Sequence, residues 1–257
     1  MTAGNARVKQ LRRLSRRSER SERRLFLAEG RNAVEAALAS GVVREVFARP
    51  DLAWAPLGAL PHGVPLTYVD ERALGALTDA VTPDGVVALC GLLDVPLADA
   101  LVGGVVALCA GVADPGNAGT VIRCADAAGA GGVVLAGDSV DVHNAKTIRA
   151  SAGSVFHLPV ATGVAVREAI GAARDAGYQV LATVASGDVG LFEPAAAAVL
   201  ARPTVWLFGN EAHGLSDDLL GLADHRVAIP IHGRAESLNL STAAALCLYA
   251  SATAQRR

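Results

Sequence analysis

Polar side chains that could take part in catalysis or ligand binding are concentrated in three segments, each predicted to follow a strand. The first contains Asn117 and Arg123, where a tight turn after Asp114 opens a helix. The second, residues 207–216, reads LFGNEAHGLS, and the third, residues 236–241, reads ESLNLS. Because ligands bind at the carboxyl ends of parallel strands, segments in these positions could together form an active site.

Each segment also has an ordinary structural explanation. Asn117, Ser216 and Asn239 belong to residue types that cap helix N-termini, and the glycines are typical of turns. Taken singly, each is better explained as a cap, because caps are common and catalytic sites are few. The occurrence of all three in one chain favours a site.

The elements that must position these segments alternate along the second part of the chain. Short apolar runs predict strands at residues 105–110, 133–136, 155–160, 178–184, 204–208 and 227–231. Helical stretches separate them, notably at residues 117–128 and 240–254. This alternation predicts an α/β fold whose parallel sheet has helices on both faces. The last helix is apolar on nearly all sides, so we expect it to be buried. A second subunit could provide part of its cover.

The preceding residues predict a smaller α/β domain. Helices are indicated at residues 32–40 and 70–80, and strands at residues 42–48, 64–69 and 86–92. Pro96, Gly103 and Gly104 then interrupt the pattern. We therefore predict four regions: a basic arm (1–24), a small domain (25–96), a linker (97–103) and a larger domain (104–257).

The charge distribution is uneven although the net charge is only −2. Residues 1–24 carry nine basic and two acidic side chains, whereas the remainder carries 14 basic and 23 acidic ones. A basic extension on an acidic body is typical of polyanion binding, because arginines that meet phosphates release counterions. The alternative is a solvated, charged helix. Val8, Leu11 and Leu14 lie at helical spacing and predict a weakly amphipathic helix in either case.

Composition and motifs exclude several classes of protein. With 52% hydrophobic and 19% charged residues, the chain is not predominantly disordered. Its longest uncharged apolar stretch, residues 100–113, is shorter than the roughly 18 residues that a membrane span needs. Gly129, Gly131 and Gly132 follow a helix instead of opening one, so they do not form a dinucleotide-binding turn. No phosphate-binding loop lysine, HExxH or GxSxG motif is present.

The cysteines and histidines predict no metal site. Cys90, Cys109, Cys124 and Cys247 are far apart without CxxC spacing, and the six histidines do not cluster. Dispersed cysteines within apolar runs indicate reduced, buried thiols and a cytoplasmic protein.

The three polar segments together resemble the signature motifs of the SpoU (TrmH-type) RNA ribose 2'-O-methyltransferases of the SPOUT superfamily. The matching stretches read NAGTVIRCADAAGA, LFGNEAHGLS and IPIHGRAESLNLSTAAA. A fourth stretch, NAKTIRAS, is similar to a family segment that often has proline at the position of Ala145. The resemblance covers residues 104–254. It continues more weakly over residues 25–95, where FLAEGRNAVEAAL is similar to a small L30e-like substrate-binding domain.

The resemblance implies a C-terminal trefoil knot, S-adenosyl-L-methionine as cofactor, an RNA substrate and a homodimer formed through the knot and the last helix. It also implies that the cofactor is bound by Gly209, Asn210, Ile229, Ile231 and Leu238. The implied catalytic set is Asn117, Arg123, Glu211, Ser237 and Asn239. In it, Arg123 acts on the ribose hydroxyl and is oriented by Asn117, and the other three order the knot and the substrate phosphate.

Several functions stay open at this point. The additional domain and basic arm favour ribosomal RNA over transfer RNA as the substrate. A non-catalytic knotted RNA-binding or ribosome-assembly protein is disfavoured by the complete motif set. A small-molecule α/β enzyme that uses a nucleotide is also disfavoured, because this sequence lacks the phosphate-loop glycines. That alternative would also leave the arginine-rich segment unexplained. We expect neither a membrane nor a metal partner.

Overall fold

The computed structural model describes residues 1–80 and 82–256. In chain order its helices are α1 (Ala6–Arg12), α2 (Arg17–Arg23), α3 (Arg31–Ala39), α4 (Glu71–Gly75), α5 (Leu97–Ala100), α6 (Pro115–Ala128), α7 (Ala145–Ser151), α8 (Val166–Asp175), α9 (Ala196–Leu200), α10 (Asp217–Leu220) and α11 (Leu240–Ala254). Its strands are β1 (Leu25–Glu29), β2 (Val43–Ala48), β3 (Leu66–Tyr68), β4 (Val86–Gly91), β5 (Asp94–Val95), β6 (Val105–Ala110), β7 (Gly132–Ala136), β8 (Val160–Thr162), β9 (Gln179–Val184), β10 (Val189–Gly190), β11 (Thr204–Phe208) and β12 (His225–Ala228).

The chain forms two units, and the first is discontinuous in sequence. It consists of Met1–Leu93 together with His143–His157, while the second unit holds the rest of the described chain. The first unit has a four-stranded sheet in the order β1-β4-β2-β3, in which β4 runs antiparallel to both neighbours. Helix α7, which comes from the later part of the chain, packs against β1.

The basic N-terminal segment belongs to the core of the first unit. Val8, Leu11 and Leu14 are each at most 3% exposed and pack in one apolar cluster with Phe47 and Leu74. Their helical spacing places them on one side, so the arginines between them face outwards. Residues 1–24 are therefore a folded edge of this unit and not a separate arm.

The second unit contains an eight-stranded sheet in the order β10-β12-β9-β11-β6-β7-β8-β5, and every pairing in it is parallel. All residues of β6, β7 and β11 are buried, which requires cover on both faces of the sheet. The predicted parallel α/β fold is confirmed. The predicted linker, residues 97–103, is also part of this unit, since α5 packs on β7 and β8. Strand β5, which was predicted to belong to the small domain, pairs with β8 in this unit.

The sheet topology creates a site for ligands. From β6 the chain proceeds to β7 and β8 on one side, then crosses to β9 and β11 on the other. Strands β6 and β11 are neighbours at the point where this direction reverses, with Phe208 beside Cys109. Such a switch point opens a crevice at the carboxyl ends of the strands.

Helix α11 packs against α6, β11 and β6. It spans the predicted residues 240–254, and Ala244, Cys247 and Leu248 on it are buried. The indole Nε1 of Trp206 donates to the hydroxyl of Ser251 at 2.9 Å, and both residues are fully buried. The predicted burial of the helix is confirmed for this face.

One predicted strand is wrong. Residues 155–160 were expected to be extended, but Ser154–Phe156 form a 3₁₀ turn and the next strand is β8. The cause is the backbone before them, because Ala152 and Gly153 both have positive φ and turn the chain after α7. The apolar side chain of Val155 is buried in the first unit instead.

The cysteines are free thiols. Burial raises the pKa of Cys90 and of Cys109 to about 12, so both remain protonated at neutral pH. Within residues 1–80 and 82–256, no three His, Cys, Asp or Glu side chains are grouped as a metal site would require. The helices of the same residues include none long and apolar enough to cross a membrane.

Candidate active site

Three polar loops meet at the carboxyl ends of β6, β11 and β12, and Glu211 is the residue that joins the first two. Its carboxylate accepts hydrogen bonds from the backbone N–H of Ala113 at 3.0 Å and of Asp114 at 3.1 Å. It also accepts from the side-chain amide of Asn117 at 3.0 Å. Glu211 thereby fixes the turn after β6 against the loop after β11.

Asn117 extends the network to the third loop. Its Oδ1 accepts a hydrogen bond from Nδ2 of Asn239 at 3.0 Å. Asn239 is at the same time the N-cap of α11, because its Oδ1 accepts from the N–H of Ser241 at 2.9 Å. The capping explanation and the site explanation are therefore both right for Asn239. For α6 the cap is Asp114, which accepts from the N–H of Asn117, so Asn117 is free to serve the network.

The electrostatics of Glu211 follow from these contacts. Partial burial raises the pKa of its carboxyl, but the donors at Ala113, Asn117 and Asp114 lower it more, and the net pKa lies below the usual value. Hydrogen bonds donated to the charged form have this effect. Glu211 is therefore an anion at neutral pH, and it acts as a fixed acceptor, not a proton donor.

The loop after β11 is closed by its own backbone. Asn210 and Gly214 exchange two backbone hydrogen bonds, of 3.1 and 2.8 Å, and the Asn210 side chain donates to the carbonyl of Gly111 at 2.7 Å. A Cβ on Gly209 would lie 2.3 Å from the carbonyl carbon of Gly214. Only glycine allows this approach, so position 209 requires it for structural reasons.

Arg123 lies apart from the network. It is exposed on α6, and within the described residues it makes no hydrogen bond or ion pair. Arg123 lies six positions after Asn117 on α6, which directs their side chains about 120° apart around the helix axis. Asn117 therefore holds Glu211 and Asn239, while the guanidinium of Arg123 is left available for a ligand.

The loop after β12 presents apolar side chains and backbone groups. Ile231 is 39% exposed and Leu238 is 36% exposed, and Ile229 is partly buried at the end of the strand. Within the described chain, the backbone groups of residues 230–238 make no hydrogen bonds, and the same is true of the Ser237 hydroxyl. Apolar surface beside free N–H and C=O groups suits an uncharged heterocycle and its ribose, so these residues fit the nucleoside part of a cofactor.

The amides of Ala113 and Asp114 are site groups that sequence reasoning missed. They hold Glu211 through backbone N–H groups, which every residue except proline possesses. The only sequence signal was indirect: a short turn before the Asn117 helix, opposite a loop that carries an acid.

The fold and site define a class of protein: a parallel α/β protein whose three polar loops converge at a switch point, preceded by a smaller α/β unit. Residues 104–249 match the sequence profile of the SpoU rRNA Methylase family, and residues 5–88 match that of the MRM3-like substrate binding domain. The chain belongs to the SpoU rRNA methylase family. The family resemblance inferred from the motifs is thus confirmed.

One named relative and two solved structures illustrate similarity over nearly the whole chain. The Bacillus subtilis 23S rRNA (guanosine(2553)-2'-O)-methyltransferase RlmP is 35% identical over 253 residues, 96% of each chain. The SpoU methyltransferase AviRb from Streptomyces viridochromogenes, solved with AdoMet, has a TM-score of 0.85 and 31% identity, covering 98% of both chains. An AdoMet-bound rRNA methyltransferase from Sinorhizobium meliloti has a TM-score of 0.82 and 34% identity, covering 96% of this chain and 94% of that one.

Proposed function

We propose that the protein methylates a ribose 2'-hydroxyl of ribosomal RNA with S-adenosyl-L-methionine as the methyl donor. The observation that carries this proposal is the hydrogen-bond network in which Glu211, Asn117 and Asn239 join all three motif loops. RlmP and AviRb support it, since the first is a 23S rRNA 2'-O-methyltransferase and the second was solved with AdoMet.

The cofactor supplies an activated methyl group. The protein therefore has to bind and orient the cofactor and the RNA, and to assist the loss of one proton from the ribose hydroxyl. Leu238 and Ile231 would cover the adenine, and backbone groups at Gly209, Ile229 and Leu238 would bind its polar edge and the ribose. Asn210 contributes by holding the loop that carries Gly209. Placing the two reactants in line accounts for a large part of such a rate enhancement.

Arg123 is the group that we assign to the ribose hydroxyl. A guanidinium has a pKa above about 12 and stays protonated, so it is poorly suited to accept a proton. We infer that Arg123 stabilises the developing alkoxide and binds the adjacent phosphate, with the proton lost late or to water. Ser237, which is exposed beside Asn239, would hold the same phosphate.

Two observations favour ribosomal RNA over transfer RNA: the additional substrate-binding domain at residues 5–88, and the similarity to RlmP, which extends over both units. The same chemistry on transfer RNA is the alternative. The basic segment, which carries nine cations within residues 1–24, supports RNA binding by the first unit.

We also propose a homodimer with a C-terminal trefoil knot, located in the cytoplasm. Tyr249 is half exposed on α11, whose residues are mostly apolar, and this supports a second subunit at the helix. The return of α11 onto α6 and β6 after β12 supports a knotted path, as in SPOUT proteins. Four free thiols, three of them buried, support a reducing compartment.

The experiment that tests the function is methyl transfer from labelled S-adenosyl-L-methionine to ribosomal and transfer RNA in parallel. We expect label in ribosomal RNA, in the 2'-O-methyl nucleotide after digestion. Arg123→Ala and Arg123→Lys are each expected to lower turnover by about 10²-fold, because lysine lacks the planar fork of arginine.

Cofactor affinity is the control, and it should be unchanged in both variants. Label in transfer RNA alone would overturn the ribosomal assignment, and cofactor binding without transfer to either RNA would favour the non-catalytic alternative. Near-normal turnover of Arg123→Lys would contradict the role given to the guanidinium.

A further inference from the structure

The first unit contains a cavity of about 480 Å³ that the methyltransferase site does not use. Its walls come from the basic N-terminal segment, from β1, from α4 and the residues after it, and from the start of α7. Ligand sites in proteins commonly measure about 300 to 1,000 Å³, so a single nucleotide fits this volume.

The rim of the cavity is cationic. Arg12 and Arg72 line it, both are exposed, and within residues 1–80 and 82–256 neither makes an ion pair. Arg20 also lines it but is 5% exposed and donates to the carbonyls of Leu14 and Ser15 at 2.9 and 2.8 Å. Arg20 fixes the turn between α1 and α2, and Arg12 and Arg72 are left to contact an anion.

The inner wall combines apolar and acceptor groups. Leu14, Leu27 and Leu77 contribute apolar surface. The carboxylate of Glu29 is 6% exposed and is paired with Arg149, so it lines the cavity without adding an uncompensated negative charge. Asp79, whose backbone N–H donates to Glu29 at 3.1 Å, adds a second carboxylate.

Each part of a nucleotide has a matching group in this cavity. Guanidinium groups bind phosphate, apolar side chains cover a base, and carboxylates accept from exocyclic amino groups. The position of the cations is fixed, because Val8, Leu11 and Leu14 anchor the segment that carries Arg12 in the core. A diffuse polyanion contact would not need such an arrangement.

We propose that this cavity binds one unstacked nucleotide of the substrate RNA, additional to the nucleotide that is methylated. The inference rests on the proposed function and assigns part of RNA recognition to a defined site in the first unit. Glu29 is already engaged by Arg149 and Thr78, so the exposed carboxylate of Asp79 is the acceptor left for a base. It favours bases with an amino group, so adenosine, cytidine and guanosine bind better than uridine.

The test compares two double variants of the full-length protein that remove equal charge. Arg12→Gln/Arg72→Gln changes the rim, and Arg31→Gln/Arg44→Gln removes two exposed arginines of the same unit that neither line the cavity nor belong to the basic segment. We measure the Kd for single-stranded octamers of adenosine and of uridine between 50 and 200 mM salt, and the KM and kcat for ribosomal RNA.

The rim variant should lose about tenfold or more in affinity for the adenosine octamer, and its salt dependence should fall by about 1.4 in log–log slope. Its KM for ribosomal RNA should rise while kcat at saturation is retained, and the other double variant should match the wild type. A thermal melt of each variant checks the fold. Equal losses in both variants, or no preference of the wild type for adenosine over uridine, would overturn the proposal. Absence of methyl transfer by the wild type would instead count against the proposed function.

Discussion

At the scale of single residues, Glu211 is the group whose hydrogen bonds join two loops of the site. Its carboxylate accepts from two backbone amides and from Asn117, and these donors keep its pKa below the usual value against the opposing effect of burial. Glu211→Gln places an amide group opposite one of those donors. We expect the free energy of unfolding to fall by about 0.5 to 1 kcal/mol at pH 7, a small value because Glu211 is exposed to solvent.

The pH dependence of this loss gives a second readout. A carboxyl whose folded pKa is depressed contributes stability above its unfolded pKa of about 4.3 and loses that contribution as the pH falls through the folded pKa. Urea unfolding at pH 7 and pH 3.5 should therefore show a smaller difference between wild type and Glu211→Gln at the lower pH. Glu236→Gln, in an exposed position of the neighbouring loop, is the matched control. A constant difference across this pH range would contradict the assignment.

Residue types at the site were predictable, but their partners were not. Asn117, Glu211 and Asn239 stood out because amides and an acid followed predicted strands. Sequence spacing could not show that Asn117 contacts Asn239 across 122 residues, because that contact depends on the order of strands in the sheet. The alternative that Asn117 merely caps a helix is wrong, because Asp114 performs that role.

At the scale of elements, α1 shows that a segment rich in charged residues can pack into a hydrophobic core. Leu11 is 2% exposed within the apolar cluster of the first unit. Leu11→Ala should lower the free energy of unfolding by about 2 to 5 kcal/mol, since it removes a buried side chain and leaves a cavity. Arg13→Ala, at an exposed position two residues later, should change it by less than about 0.5 kcal/mol.

Denaturant unfolding, monitored by hydrogen exchange in β2 and β4, measures how far Leu11→Ala destabilises the first unit. A loss for Leu11→Ala no greater than that for Arg13→Ala would show that α1 is peripheral. The expected loss also means that deletion of residues 1–24 would unfold part of the first unit, so point variants of single arginines give the cleaner test of RNA contact.

Strong periodic patterns predicted elements well, and weak ones did not. The bounds of β6, β11 and α11 agree with the sequence pattern, because each combines an apolar run with clear turn or capping residues. Strand β1 was missed because its residues follow directly on a charged helix. Strands β5 and β10 are two residues long, and they exist through pairing with β8 and β12 alone.

At the scale of the whole molecule, the main departure from the predicted organisation is that the first unit is built from two separate stretches of chain. The motif NAKTIRAS lies within residues 104–257 and was therefore predicted to belong to the larger domain. In the structure this motif forms α7 and packs against β1 of the first unit. Contact between stretches more than 100 residues apart is a tertiary property that no local pattern encodes.

The ion pair between Arg149 on α7 and Glu29 at the end of β1 joins those two stretches. Glu29 is 6% exposed and accepts further hydrogen bonds from the Thr78 hydroxyl and the Asp79 N–H, so its charge is well satisfied while Arg149 is present. Removing Arg149 leaves a buried carboxylate without its counter-charge, and that is costlier than removing both charges.

Arg149→Ala should therefore destabilise the first unit by about 1 to 3 kcal/mol, a range reduced from that of a fully buried pair because the Arg149 side chain is 35% exposed. Arg149→Met/Glu29→Gln should recover most of the loss. Hydrogen exchange is the measurement, since β1 and α7 should lose protection together in the single variant and regain it in the double. Arg167→Ala, whose partner Asp218 is 82% exposed, is the control and should change little. Loss of protection in α7 alone, or a double variant weaker than the single one, would mean that packing and not the ion pair holds the two stretches together.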